Sequence, residues 1–253
     1  MDDLFSLRGK RILVTGGTRG IGRAISLRFA RVGATVVANY VRNDGAAENL
    51  KSEAETEGLA VALCRADLTS SKGLQNLADF LGHAENALSG LVHCAATGIH
   101  RPIEDLTTRH FDWTFALNVR AFFELVKLLL PRLSPGATIV AVSSHGALRA
   151  VPYYSFVGSS KGALEALARH LSVELARRGM RVNILCPGSV LTEAWKAMPE
   201  GEQRIGETIR RTPIGRLAAV DEVACAAQFL CSDASSGIVG HTLVVDGGAG
   251  IVA

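Results

Sequence analysis

The feature that most constrains this chain is the regular alternation of short β-branched runs with longer amphipathic stretches. The runs Arg11 to Thr15, Thr35 to Asn39, Ala60 to Cys64, Gly90 to Cys94, Thr138 to Val142, Arg181 to Cys186 and Thr242 to Val245 read as strands. Between them, Ile21 to Val32, Gly45 to Gly58, Phe111 to Leu130, Ser155 to Arg178 and Val220 to Cys231 carry the helical period. Strands this apolar are buried on both faces, and helical crossovers between them imply a parallel sheet covered by helices. The expected fold is α/β, a single doubly wound domain over residues 1–253. Ligands of such sheets bind outside the carboxyl ends of the strands, which directs attention to the residues that follow each run.

Composition removes several function classes. The chain is 48% hydrophobic and 20% charged, enough for one large core. A net charge of +3, spread along the chain, argues against nucleic acid. The acidic start Met1-Asp2-Asp3-Leu4 does not read as a secretory signal, and Ala121 to Leu130, broken by Glu124 and Lys127, is too short and charged to span a bilayer. Five cysteines, Cys64, Cys94, Cys186, Cys225 and Cys231, show no metal-ligand spacing and fit reduced thiols in a cytoplasm.

After the first run comes Thr15-Gly16-Gly17-Thr18-Arg19-Gly20-Ile21-Gly22, which leads directly into a helix. Glycines permit a tight turn and close approach of a ligand, and the free amides of the helix start favour a pyrophosphate, so Gly16, Thr18, Gly20 and Ile21 are candidate cofactor contacts. An NAD site usually has an acidic residue at the end of the next strand. Here that strand ends in Asn39-Tyr40-Val41-Arg42, with no carboxylate. Arg19 and Arg42 suit a 2′-phosphate and hence NADPH, the alternative being two solvated arginines. Asp67-Leu68 follows the third strand, placed to receive the adenine amino group, although an aspartate in a turn also serves its own backbone.

Tyr154 and Lys161 are the candidate acid and its tuning cation. If both are helical, seven residues are about two turns, so the side chains share a face and the ammonium should lower the tyrosine pKa. On the same helix Tyr153 would turn about 100° away. The alternative is an ordinary helix start, with tyrosines packed on the core and a solvated lysine.

Thr15 to Gly22, Asp67, Asn118, Ser144, Lys161, Pro187-Gly188 and the closing Val245-Asp246-Gly247-Gly248 together resemble the short-chain dehydrogenase/reductase family over nearly the whole chain. The resemblance implies a Rossmann-type domain with a seven-stranded sheet, an NAD(P)(H) cofactor and commonly a tetramer. It also implies that Lys161 bonds the nicotinamide ribose, that Asn118 supports a proton-relay water, and that Pro187-Gly188, followed by Val190 and Thr192, lines the nicotinamide. His93-Cys94-Ala95-Ala96 stands where that family commonly has Asn-Asn-Ala-Gly, with Cys94, Ala95 and Ala96 still leaving room for cofactor or substrate. Ser144 falls at the place of the family's catalytic serine, where it either acts or only orients substrate.

The departure from the family pattern is Val157, four residues before the lysine, where most members carry the catalytic tyrosine. Tyr154 instead gives Tyr-x6-Lys, the spacing found in bacterial enoyl-acyl-carrier-protein reductases, and the surroundings most resemble the NADPH-dependent type called enoyl reductase III. The implied reaction is reduction of the trans-2 double bond of an enoyl thioester, in fatty acid or polyketide-type synthesis. Three residues of helix are about 4.5 Å of rise, the scale by which the acid must move when hydride lands at C3 rather than at the carbonyl carbon. The alternatives are a ketone reductase or a non-catalytic NADPH-binding protein. Leu191, Trp195 and Met198 fit an apolar lid at about 190–212 over an acyl chain, or equally a plain packed helix. Arg210-Arg211 would dock an acyl carrier protein, or be ordinary solvated charges.

Overall fold

A computed structural model describes residues 3–82, 87–192 and 201–252. The Trp195 and Met198 expectations lie outside the described residues. The chain forms β1 (Arg11–Thr15), α1 (Gly20–Arg31), β2 (Thr35–Tyr40), α2 (Asp44–Thr56), β3 (Val61–Arg65), α3 (Ser71–Leu81) and β4 (Leu88–His93). It continues through α4 (Thr108–Phe115), α5 (Ala121–Leu129), β5 (Leu133–Val142), α6 (Ser155–Ala176), β6 (Arg181–Pro187), α7 (Gly201–Arg211), α8 (Val220–Cys231) and β7 (Thr242–Val245). The seven strands make one sheet in the order β3-β2-β1-β4-β5-β6-β7, every neighbour parallel. The order reverses between β1 and β4, so the crevice above Thr15 and His93, which are register partners, is where a ligand of this fold belongs.

Alternation along the strands explains the layers. Leu13 and Val37 face a core with Phe122, Leu125, Leu129, Leu164 and Ala168. Ile12, Val14 and Val36 face the other, with Ile25, Phe29, Val223, Ala227 and Leu230. Both faces of the sheet are therefore dry, as its near-continuous apolar strands require. Local capping fixes the helix starts: Asn43 accepts the Ala46 amide at 2.9 Å and Ser70 that of Gly73 at 3.1 Å.

Two helical expectations change. Phe111 to Leu130 is not one helix: α4 and α5 are joined by a π turn at Ala116–Arg120, and a 3-10 turn at Leu130–Arg132 ends the run at its proline. The fully buried Asn118 lies in this π turn, its side-chain amide bonded to Thr97 and Ser160. Nor do Tyr153 and Tyr154 lie inside α6. Tyr154 is its N-cap, at φ −117° and ψ 14°, and Tyr153 stands at φ 62°, a left-handed conformation uncommon for a residue with a side chain.

Phe122 is fully buried and its ring lies 5.4 Å from that of His93, so it supports the sheet directly under the switch point. Phe122→Ala should cost about 3–5 kcal/mol of folding free energy, read as a lowered midpoint in denaturant unfolding.

Candidate active site

The glycine turn after β1 is built by close approach. Gly16 and Gly20 have φ of 63° and 52°, and a Cβ on Gly22 would stand 2.1 Å from the Gly16 carbonyl oxygen. Ser26 donates to the Gly17 carbonyl at 3.0 Å and pins the turn from α1. The cap residue Arg19 supplies no side-chain bond and the first turn of α1 has no acid, so the amide end is left to an anion. Thr18 is buried, Ile21 is half-buried, and the methyl of Thr192 would lie 3.6 Å from a Cβ on Gly20. The segment from Pro187 to Thr192 thus crosses the glycine turn. Val190 is fixed there by a bridge to Ala218, and Leu191 is exposed. These residues fit a dinucleotide: positive-φ glycines, an uncapped helix start and a covering strand end surround one cradle.

Beyond the glycine turn lie the ends of β2 and β3, with the residues expected to meet the adenosine half of a cofactor. Arg19 and Arg42 are exposed. The sequence reading overlooked Arg65, whose position opposite Tyr40 only the strand register reveals. Its Nε donates to the Val41 carbonyl at 3.1 Å and its Nη1 lies 3.3 Å from Asp44 Oδ2. Burial and the Asp44 carboxylate push the Tyr40 phenol up. Asn39 is committed inside the sheet, donating to the Cys64 and Ala66 carbonyls at 3.3 and 3.0 Å, while its own carbonyl accepts the Gly17 amide. Asp67 Oδ1 accepts the Thr69 amide and hydroxyl, which is the backbone-serving use of a turn aspartate, and Leu68 is buried in the core.

At the switch point the Thr15 hydroxyl accepts the amides of Cys94 and Ala95, both at 3.1 Å, and its oxygen lies 3.1 Å from His93 Nδ1. The Ala95 Cα would be only 3.0 Å from a Cβ on Gly16, so β1 and β4 place their loops in contact. Ala96 is exposed beside them. Burial holds His93 neutral, its pKa pushed down to about 3, and raises the Cys94 thiol to about 11.

The catalytic candidates gather at the carboxyl end of β5. Tyr154 Oη donates to Ser144 Oγ at 3.3 Å, and Ser144 Oγ also accepts the Gly146 amide at 3.3 Å. Gly146 makes room for the ring, since a Cβ there would stand 2.5 Å from two of its carbons. His100 stacks on the ring at 5.4 Å between centroids. Neither residue carried a sequence signal, because their importance comes from where Tyr154 lies. Lys161 is buried and its Nζ donates to the Val142 carbonyl at 2.7 Å. Val157 is also buried, its side chain packed where Gly98 has no Cβ.

The expected lowering of the tyrosine by the lysine is corrected here. Burial raises the Tyr154 pKa, opposed by the Ser144 hydrogen bond and reinforced by Cys186. Lys161 itself is pushed down by burial to about 8. Asn118 Oδ1 accepts the Thr97 amide, and its Nδ2 donates to the Thr97 carbonyl and to Ser160 Oγ, each at 2.9 Å, so its side chain locks the loop after β4 to α6. His145, for which the sequence shows no partner, lies with Nε2 2.9 Å from Asp246 Oδ2. Asp246 in turn accepts the Gly248 and Gly250 amides and abuts Gly188, which joins the last segment to the site. No group of three or more metal-ligating side chains occurs among the described residues.

Comparison with known proteins agrees with this geometry. Residues 16–250 match the family described as Enoyl-(Acyl carrier protein) reductase. The 1-cyclohexenylcarbonyl-CoA reductase of Streptomyces collinus is 35% identical, over 95% of this chain and 87% of that protein. The 7alpha-hydroxysteroid dehydrogenase of Escherichia coli (strain K12) is 36% identical, over 97% and 96%. Among solved structures, a gluconate 5-dehydrogenase from Burkholderia cenocepacia J2315 in complex with NADP and tartrate superposes with a TM-score of 0.91 at 29% identity, over 99% of each chain.

The Lys161 amine should titrate with a midpoint near pH 8, charged below it and neutral above, far under its ordinary value of 10.5. Side-chain amine NMR across pH 6 to 11, with the resonance assigned by Lys161→Arg, reads this directly; a midpoint above 10 would contradict the buried placement.

Proposed function

Because the chain belongs to the short-chain dehydrogenase/reductase family of oxidoreductases, we propose that it uses NADPH to reduce the trans-2 double bond of an enoyl thioester, in fatty acid or polyketide-type synthesis. The observation that carries this reading is the exchange of roles at the start of α6. Val157 is packed against Gly98 and has no proton to give, while the Tyr154 hydroxyl, three residues earlier, meets Ser144. The cyclohexenylcarbonyl-CoA reductase acts, by its name, on a thioester, and the matched family description points the same way.

Gly16, Thr18, Gly20 and Ile21 would hold the pyrophosphate, and Arg19 and Arg42 the 2′-phosphate, beside Tyr40 and the Asn39 backbone. Asp67 and Leu68 would border the adenine. Cys94, Ala95, Ala96, Pro187, Gly188, Val190 and Thr192 would line the nicotinamide, and Lys161 would bond its ribose. When bound, the cofactor supplies hydride to C3 of the enoyl group. This chain's residues then handle the charge: negative charge gathers on the thioester oxygen, and Tyr154, its pKa raised and its proton retained at neutral pH, donates a hydrogen bond to it. The single phenol proton cannot serve Ser144 and the substrate together, so with substrate bound Ser144 Oγ would turn to donate to Tyr154 Oη and so orient the phenol. A proton taken up from solvent and delivered to C2 would complete the reduction, with Asn118 holding the loop along which such a relay would run. Ala96, Leu191, Trp195 and Met198 are assigned to the acyl wall and lid. The same reading makes the protein a cytoplasmic homotetramer whose carrier-bound substrate meets Arg210 and Arg211, exposed at the end of α7.

A second reading, reduction of a ketone, is favoured by the 36% identity to a hydroxysteroid dehydrogenase and by a tyrosine-serine pair able to hold a carbonyl oxygen. Following NADPH absorbance with crotonyl and acetoacetyl thioesters separates the two. We expect turnover of the crotonyl substrate, reduced by more than 100-fold in Tyr154→Phe with little change in NADPH affinity. Efficient turnover of the acetoacetyl substrate alone would select the ketone reading.

Cofactor choice is tested separately. NADPH should be preferred to NADH in kcat/KM, and Arg19→Ala with Arg42→Ala should remove most of that preference. An unchanged ratio in the double variant would remove both arginines from the phosphate site.

A further inference from the structure

The inner face of α6 carries a second ionisable side chain that the mechanism above leaves without a role. Glu165 lies one turn beyond Lys161, on the same face, and is only 2% exposed. Burying a carboxylate is costly unless it is well partnered. Its Oε1 accepts Ser143 Oγ at 2.6 Å, and its Oε2 lies 3.4 Å from Nη1 of Arg169, which reaches in from the surface. Ser143 directly follows Val142, whose carbonyl accepts Lys161 Nζ at 2.7 Å. Two adjacent residues at the end of β5 thus fix a lysine and a glutamate from one helix face.

The described groups that act electrostatically with Lys161 come from every element packed around it: His93 and Cys94 at the end of β4, Cys186 in β6 and Glu165 in α6. Burial keeps the thiols protonated, pushing Cys94 to about 11 and Cys186 to about 12, and keeps His93 neutral. Glu165 is the one carboxylate of this set.

We propose that Glu165 is a positioning residue that keeps Lys161 in its ammonium form, so that a charged lysine meets the cofactor ribose at neutral and mildly alkaline pH. The proposal rests on the ribose-holding role given to Lys161 above. Its direction follows from the geometry, a carboxylate held one turn from the ammonium on the same helix face by adjacent anchors at Val142 and Ser143. Burial drives the lysine proton off, and Cys94, Cys186 and Glu165 oppose that loss; the two thiols do so only once ionised, which leaves Glu165 as the charged one at working pH. A buried amine whose midpoint already stands near pH 8 has little margin, and removing the carboxylate would lower its charged fraction at the pH where a reductase works.

The test is the Lys161 amine titration by NMR on the full chain without substrate, wild type against Glu165→Gln. The midpoint should fall by roughly one unit in the variant. NADPH, titrated by its fluorescence, should bind Glu165→Gln several-fold more weakly at pH 8.5 and nearly as well as wild type at pH 6, where the lysine is charged in both. If circular dichroism shows Glu165→Gln unfolded, Glu165→Asp is read instead; it keeps the charge one methylene farther from Ser143 and should give a smaller fall in the same direction. An unchanged or raised midpoint in the variant that folds overturns the proposal, as does a loss of NADPH affinity equal at both pH values, which a purely structural role would produce. The lysine titration involves no thioester, so its result stands whichever substrate the enzyme reduces.

Discussion

The docking of α6 onto the carboxyl end of β5 is the contact on which the rest of the site depends. Three consecutive residues there each receive one side chain from the helix or its cap: the Val142 carbonyl takes Lys161, the Ser143 hydroxyl donates to Glu165, and the Ser144 hydroxyl takes Tyr154. A strand whose successive side chains point to opposite faces cannot present both Ser143 and Ser144 to one helix and its cap, so the chain must leave the strand here. It does so at Val142, and the 3-10 turn His145–Ala147 follows at once. The last sheet bond of the region, from the Ser143 amide to the Leu185 carbonyl at 2.8 Å, anchors the exit. Lysine, glutamate and tyrosine are therefore held by backbone that the sheet itself makes rigid.

The second half of the site is held by the same means at the switch point. The Thr15 hydroxyl gathers two amides of the loop after β4, and Asn118 ties that loop to α6 through Ser160. Asn118 sits in the π turn between α4 and α5, and from there its side chain reaches both segments. The glycine turn, the loop after β4 and the helix bearing the catalytic candidates thus form one connected network rather than three separate contacts. Displacing any one of them shifts the distance between a bound dinucleotide and Tyr154.

Much of this was legible in the residues. β1 and β7 occupy the ranges expected, because short β-branched runs bounded by turn residues have little freedom in register. The glycine turn was legible because positive φ and close approach admit few other residues. Side chains that serve the fold through tertiary bonds were not. Asn39 and Asn118 look alike in sequence whether they face a ligand or a carbonyl of a neighbouring segment, and only the folded chain shows where their amides go, whereas the Asp67 bond to Thr69 is the local alternative that its turn already offered. The π turn was invisible for a related reason: Phe111 to Leu130 keeps its helical apolar period through the break. Arg65 becomes notable only when β2 and β3 are laid side by side.

At the tyrosine, sequence pattern and chemistry part company. Moving a phenol three residues along a helix would displace it by about 4.5 Å along the axis, and the direction would be that of the helix. Tyr154 is not on the helix, since it caps it, so its position is set instead by the left-handed turn at Tyr153, by the space Gly146 leaves and by the His100 ring against its face. The displacement from Val157 is therefore one of direction as well as distance, toward Ser144 and away from the interior that Val157 fills. Burial in that place raises the phenol's pKa rather than lowering it. A group that keeps its proton at working pH acts first as a hydrogen-bond donor to an oxygen that becomes negative elsewhere in the substrate. Such a donor serves the enolate oxygen of the proposed thioester reduction and the carbonyl oxygen of a ketone alike, which is why the two substrates, and not the phenol, separate the readings.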